Sequence, residues 1–292
     1  MKIFITGATG FIGKHLVEQL VLDGCDVTIN VRNDSTAFNK KINKYCLGIN
    51  GIEEDIEFFK KESFDGIIHL ASLYLTIHKP AEALKLIDSN LQFSTYVLEC
   101  AVQAKIYWFI NTGTFWQHYQ NSDYSPINLY AATKQAFESI AKYYIETRQI
   151  NFCTLKLSDT YGPNDTRTKV FNIWQRIVKS GETLDMSPGE QLIDISYIDD
   201  VVAAFILLAK HLQKDHSLTN NGVVYAVKAN KRFTLKQLAC IFENITQNKL
   251  NINWGGRDYK DREVMVPWEG GDVVPGWEPK ISIETGIRKL DL

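Results

Sequence analysis

The residues with the most chemical promise lie between positions 107 and 134. Tyr130-Ala131-Ala132-Thr133-Lys134 sets a tyrosine four residues before a lysine, near the start of a helical pattern over residues 129–147. On a helix that spacing puts both side chains on one face. A phenol ordinarily titrates at about pH 10. A neighbouring ammonium favours the phenolate, so the pattern predicts Tyr130 as an acid–base group whose pKa Lys134 lowers. Just upstream, Tyr107 to Ile110 reads as a strand, followed by Asn111-Thr112-Gly113-Thr114. A hydroxyl just past that strand end, on Thr112, can polarise a carbonyl beside the tyrosine; capping a turn is its bland alternative.

A second cluster opens the chain. Gly7-Ala8-Thr9-Gly10-Phe11-Ile12-Gly13 lies between an apolar run, residues 2–6, and a helical pattern carried by Ile12, Leu16, Leu20 and Val21 that Asp23-Gly24 stops. Glycines let the turn close tightly and let backbone approach a pyrophosphate, and the helix N-terminus offers unpaired N–H groups to the anion. A Gly-rich turn without a ligand is the alternative. The next strand, Asp26 to Val31, ends at Arg32-Asn33 with no carboxylate to meet a ribose 2′-hydroxyl. Arg32 can instead pair with a 2′-phosphate, so NADP(H) is expected over NAD(H).

Positioning these clusters takes an alternation of elements. Gly66 to Ala71 reads as a buried strand, residues 88–104 as a helix, and Phe152 to Leu157 as a further strand. Strands alternating with helices predict an α/β fold: a doubly wound parallel Rossmann sheet with a smaller C-terminal substrate-binding lobe. The division expected is 1–162 for the cofactor and catalytic residues and 163–292 mostly for the lobe, with a helix over 197–212 rejoining the sheet.

Composition narrows the class. The 292 residues carry 32 Lys+Arg against 34 Asp+Glu, a net charge of −2, so there is no footprint for nucleic acid. No apolar run approaches the roughly 20 residues of a membrane span, and no signal peptide is expected. The cysteines, Cys25, Cys46, Cys100, Cys153 and Cys240, are scattered and odd in number. They read as free thiols in a reducing, cytoplasmic setting, with no metal site.

The glycine cluster, His69-Leu70-Ala71, Asn90, Thr112, Tyr130 with Lys134, Tyr161-Gly162-Pro163 and Asp199-Asp200-Val201-Val202 follow one another in an order that resembles the extended short-chain dehydrogenases/reductases. That resemblance spans nearly the whole chain. It implies Tyr130 as acid–base, Lys134 as the group that holds the nicotinamide ribose, and Thr112 as hydrogen bonded to the reacting oxygen. It places Gly7, Thr9, Gly10, Phe11, Ile12, Arg32, Asn33, Leu70, Ala71, Ser72, Asn90, Tyr130 and Lys134 at the cofactor, and it implies a homodimer through two helices per subunit. Gly189 to Asp194, Trp254-Gly255-Gly256, Tyr259-Lys260, Glu263 to Met265 and Gly276-Trp277-Glu278-Pro279 resemble the CDP-abequose and CDP-paratose synthase group. This implies NADPH-dependent 4-ketoreduction of a nucleotide-linked deoxysugar, with Thr114, His118, Asn172, Lys260 and Arg262 toward the substrate.

Two departures stand out. Relatives usually carry an arginine for substrate phosphate where this chain has Ile193, which leaves Lys260, Arg262 or Arg257 for the diphosphate. Many have Asn where this chain has Asp159. Sugar-nucleotide 4,6-dehydratases place an Asp-Glu pair directly after the threonine; here Gly113 and Thr114 offer no carboxyl group. The alternatives left open are an NAD-dependent 4-epimerase and a non-catalytic NADP-sensing regulatory protein. His69 reads as a structural histidine. Phe115, Trp116 and Tyr119 read either as an aromatic wall or as core, Phe171 and Trp174 as core, and Asp199-Asp200 as the cap of a helix starting at Val201.

Overall fold

The computed structural model describes residues 1–32, 42–214 and 221–290. The first part runs β1 (Lys2–Thr6), α1 (Phe11–Leu22), β2 (Asp26–Asn30), β3 (Asn43–Tyr45), α2 (Ile52–Glu62), β4 (Gly66–His69), α3 (Ala83–Ile87), α4 (Phe93–Gln103), β5 (Trp108–Thr114), α5 (Leu129–Glu146), β6 (Asn151–Leu157) and β7 (Asp159–Tyr161). The rest runs α6 (Val170–Ser180), β8 (Leu184–Met186), β9 (Leu192–Ile193), β10 (Ile195–Tyr197), α7 (Ile198–Lys214), β11 (Val224–Val227), β12 (Phe233–Thr234), α8 (Leu235–Thr246), β13 (Ile252–Trp254) and α9 (Ile283–Arg288).

Seven strands form one parallel sheet in the order β11-β6-β5-β4-β1-β2-β3. Every residue of β4 and β6 is buried, as a strand covered on both faces requires. Single strands feed both sides of the sheet. Ile3 and Ile5 of β1 pack with Leu16, Val17 and Phe205, while Phe4 between them packs with Phe59, Val97 and Phe109. The strand order reverses between β1 and β4. In open α/β sheets the crevice beyond the strand ends at that reversal is where ligands bind.

The expected doubly wound architecture is present, and its boundaries differ in instructive ways. β5 continues to Thr114 because β6 pairs with it as far as Thr114 against Leu157, so Thr112 lies within a strand. β4 stops at His69, which frees Leu70 to Ser72 to form a loop. Helix begins earlier than residue 88, at Ala83, and passes through a wide turn at Asp88–Gln92 before α4. The return helix α7 packs against α1. Asp199 and Asp200 lie in its first turn, not ahead of it. Asp200 instead accepts the backbone N–H of Lys280 and Ile281, each at 3.0 Å, and so ties down the C-terminal segment. β11 was not anticipated; it completes the sheet edge beside β6.

The β1–α1 turn is closed by a backbone contact that only glycine allows. A Cβ on Gly13 would stand 2.3 Å from the Gly7 carbonyl oxygen and 2.6 Å from Ala8 Cα. Those neighbours are backbone and cannot move aside cheaply. Gly13→Ala is therefore expected to destabilise the protein by about 1–3 kcal/mol or more. Thermal unfolding of the cofactor-free protein reads this, and an unchanged Tm would refute it.

Candidate active site

The first wall of the site is the glycine turn at the sheet reversal. Gly7 has φ +70°, and a Cβ there would meet Ala71 N at 2.5 Å, so β1 and the loop after β4 touch backbone to backbone. Gly10 N–H closes the turn on Gly7 O at 3.1 Å. Gly10 is the N-cap of α1, with no side-chain cap and no acidic residue in the first turn. The first N–H groups of the helix therefore face an anion site with no built-in competitor. This cradle fits the pyrophosphate of a dinucleotide. Phe11 and Ile12 line the catalytic cavity beside it, and Thr9 lines a groove just outside. Arg32 is exposed past the end of β2, and Asn33 lies outside the described residues.

Loop 70–73 is held from below. Asn90 is fully buried; its side chain accepts from Leu73 N at 2.7 Å and donates to Leu73 O and to Thr133 Oγ1, both at 3.0 Å. It therefore positions the loop and does not line the cavity. His69 is structural, as expected. Ser94 Oγ donates to Asn90 O, so it accepts from His69 Nε2 at 2.9 Å; Nδ1 of the neutral ring then accepts from Thr6 Oγ1 at 2.8 Å, and Thr6 Oγ1 accepts from Ala71 N. Burial, with Lys134 nearby, keeps the ring neutral.

Thr112, Tyr130 and Lys134 converge on one cavity of about 240 Å³, which Gly7, Gly10, Leu70 and Ser72 also line. α5 supplies Tyr130 and Lys134 from one face, its start fixed by Asn128 Oδ1 accepting from Ala131 N at 2.9 Å. Thr112 Oγ1 is buried and has no protein partner. A buried hydroxyl without a partner is costly, and the oxygen of a reacting carbonyl would satisfy it.

The electrostatics correct one expectation. Lys134 does not pull Tyr130 down: burial and Tyr74 push the phenol up to about 12, against a hydrogen bond from Ser72 and the charge of Lys169. Tyr130 is therefore held in its protonated form. Burial lowers Lys134 to about 8, opposed by Glu138.

Other expected residues separate. His118 is buried and stacks on Trp268 at 4.0 Å. Its Nε2 accepts from Lys156 Nζ at 2.7 Å and its Nδ1 donates to Ser122 O at 3.1 Å, so neither nitrogen is free for a substrate. Asn172 donates to the carbonyls of Asp165 and Arg167, both at 2.7 Å, and shapes a loop instead of facing the cavity. Thr114 lines the catalytic cavity and caps the following turn through Trp116 N at 3.3 Å. Trp116 is cavity wall; Phe171 and Trp174 are core.

Lys260 and Arg262 line a second cavity of about 500 Å³, joined to the first where Trp116, Ser158 and Asp159 line both. Arg257 is exposed and lies outside it. Ile193 is paired with Phe233, and the adjacent Arg232 is committed to Asp194 at 2.9 Å and to Trp268 O at 2.7 Å. The sequence reading missed Tyr74, Arg167 and Lys169, all in the catalytic cavity wall. The only available signal was the pair of cations shortly after Tyr161-Gly162-Pro163.

Burying Lys134 works against the fold. Its folded pKa lies below the unfolded lysine value of 10.5, so the unfolded chain binds more protons between pH 8 and 10.5 and stability rises with pH across that window. Below pH 8 the full penalty, on the order of 3 kcal/mol, is present. Lys134→Met should therefore raise the Tm of the cofactor-free protein at pH 7 while abolishing turnover. The gain should fade as pH rises toward 10.5. A variant less stable than wild type at pH 7 would contradict the account.

Comparison with known proteins agrees with this geometry. Residues 3–222 match the model of the NAD dependent epimerase/dehydratase family. The chain is 29% identical to the CDP-abequose synthase of Salmonella muenchen over 99% of its own length and 96% of that protein, and 29% identical to the one from Yersinia pseudotuberculosis over 91% and 92%. In fold it is similar to a UDP-glucose 4-epimerase from Thermotoga maritima solved with UDP-glucose, at TM-score 0.82, 22% identity and coverage of 99% and 96%. A Bacillus cereus UDP-glucuronic acid 4-epimerase solved with UDP-glucuronic acid and NAD gives the same TM-score at 19% identity, covering 99% and 97%. The chain belongs to the NAD dependent epimerase/dehydratase family of extended short-chain dehydrogenases/reductases, and is an NAD(P)-dependent enzyme of that family.

Proposed function

We propose that this protein reduces the 4-keto group of a nucleotide-linked deoxysugar, CDP- or dTDP-linked, with NADPH, in deoxysugar biosynthesis for a cell-surface polysaccharide such as O-antigen. The observation that carries the reading is the make-up of the smaller cavity. It brings Thr112, Tyr130 and Lys134 against the glycine cradle and leaves Gly113 and Thr114 where a dehydratase would need two carboxyl groups. Gly113 has no room for one: a Cβ would stand 2.8 Å from Lys156 Cγ and 3.0 Å from Glu138 Oε1. The 29% identity to CDP-abequose synthases over nearly the whole chain supports the sugar class.

In this reading Tyr130 gives its proton to the carbonyl oxygen, Thr112 donates a hydrogen bond to the same oxygen, and Lys134 holds the nicotinamide ribose. A bound nicotinamide supplies the hydride. The hexose occupies the smaller cavity and the nucleotide the larger, with residues from 163 onward forming most of the substrate lobe. Lys260 and Arg262 meet the diphosphate. Arg32, standing where a carboxylate would favour NAD, supports NADP(H).

Exposed apolar side chains on α3 and α5, Leu84 at 71%, Ile87 at 39% and Tyr143 at 61%, support a homodimer through these helices. All five cysteines are free thiols, which supports a cytoplasmic setting. No described helix is long and apolar enough to cross a membrane.

The test is NADPH consumption against a panel of 4-keto-6-deoxy and 3,6-dideoxy nucleotide sugars. Turnover is expected with at least one, falling roughly 10²–10⁴-fold in Tyr130→Phe. Protein that purifies with stoichiometric NAD and needs no added cofactor would point to the epimerase instead. Arg32→Gln should weaken NADPH binding about tenfold or more and leave NADH unaffected; equal loss for both cofactors would remove Arg32 from the 2′-phosphate site.

A further inference from the structure

The cavity that holds Lys134 carries a second lysine, Lys169. Lys169 Nζ makes an ion pair with Asp159 Oδ1 at 2.6 Å and donates to Tyr74 Oη at 3.0 Å. It lies 4.7 Å from the centre of the Tyr74 ring and 5.7 Å from that of Trp116. Both rings stand edge-on to Tyr130, Tyr74 at 5.1 Å and Trp116 at 6.4 Å. Lys169, Asp159, Tyr74, Trp116 and Tyr130 all line this one cavity.

We propose that Lys169 is a second cation of the acid–base site, a positioning residue that reaches Tyr130 from the substrate side through Tyr74, with Asp159 as its anchor. This role rests on the reductase reading and extends it. After Tyr130 has given up its proton, the phenolate stands in a buried wall and needs a compensating charge. Lys134 is on the same helix and is itself weakened by burial. Lys169 is better placed to stay charged. Burial alone would disfavour its ammonium, but Asp159 and Tyr74 outweigh that and hold it above the ordinary lysine range.

The charged and titratable groups around Tyr130 come from four directions: Tyr74 from the loop after β4, Asp159 from β7, Lys169 and Arg167 from the loop before α6, and Lys134 from α5 itself. Arg167 is bound bidentately by Asp165, at 2.7 and 2.8 Å. Lys169 is the cation among them whose charge pulls Tyr130 down.

The reverse reaction isolates the effect. There the substrate C–H gives a hydride to NADP⁺, the alcohol O–H gives its proton to the Tyr130 phenolate, and that proton leaves to solvent. The rate therefore climbs with pH as the phenolate forms. The holoenzyme is assayed with NADP⁺ and the alcohol that the forward reaction yields. Lys169→Met is expected to move the rising limb up by about one pH unit, and Lys169→Arg to bring it back, with KM for NADP⁺ unchanged in both. A limb that stays in place in Lys169→Met, or that Lys169→Arg fails to restore, overturns the role of Lys169 alone. A wild-type enzyme that reduces no member of the ketosugar panel overturns the reductase reading and this role with it.

Discussion

The active site depends on one close approach at the point where the sheet reverses its order. Gly7 touches the backbone of Ala71 so tightly that a single Cβ would come within 2.5 Å of it. That contact fixes the turn after β1 and the loop after β4 as one unit. α1 begins from the first and presents its N–H groups; Ser72 and Tyr74 hang from the second, on Tyr130's side of the cavity. Asn90 and His69 secure the same loop from below with hydrogen bonds that use all of their polar atoms. The glycine turn and the wall beside Tyr130 are therefore set by common backbone, and strain in the turn would displace both.

The second constraint is the buried charge behind β5. Lys156 is 2% exposed, bonded to His118 and facing Glu138 at 3.3 Å, and Gln117 donates to Glu138 Oε1 at 3.0 Å. Glu138 sits one helical turn after Lys134 and supports its ammonium electrostatically. These groups fill the space beneath Gly113. The network that crowds position 113 thus also braces the strand holding Thr112. Alternation along β5 sends residue 112 to the cofactor side and residue 113 into this network, so one side chain's freedom is the other's confinement.

What was legible in the sequence was whatever a local spacing encodes. The glycine turn, the Tyr130–Lys134 pair and the alternation of strands and helices all depend on neighbours within about one helical turn or one strand. The misreadings share a different cause. Thr112 falls inside β5 because β6 lends it partners that lie forty residues later in the chain. Asn90 and His118 have the residue types of ligand contacts, but tertiary partners consume their hydrogen-bonding atoms first. Tyr130 was expected to be lowered because the sequence displays its lysine and hides its burial. Lys169 went unnoticed because its partners Tyr74 and Asp159 are 95 and 10 residues away.

The near-neutral total charge hides a local pattern that bears on the missing arginine at Ile193. In and near the two cavities several cations carry a carboxylate partner: Lys169 with Asp159, Arg167 with Asp165, Arg232 with Asp194. Arg262 is different. Its described partners are neutral, the Ser125 hydroxyl at 2.6 Å and the face of Tyr119 at 4.3 Å. Neither cancels its charge, and both can be given up at small cost when an anion arrives. It is held at φ +59° in the wall of the larger cavity, a conformation that strains a non-glycine residue and recurs where ligands are clamped. The same loop brings Lys260, Asp261 and Glu263 to that wall. Arg262 therefore enters the wall of the larger cavity from a loop, beside Lys260, with no carboxylate among its described contacts.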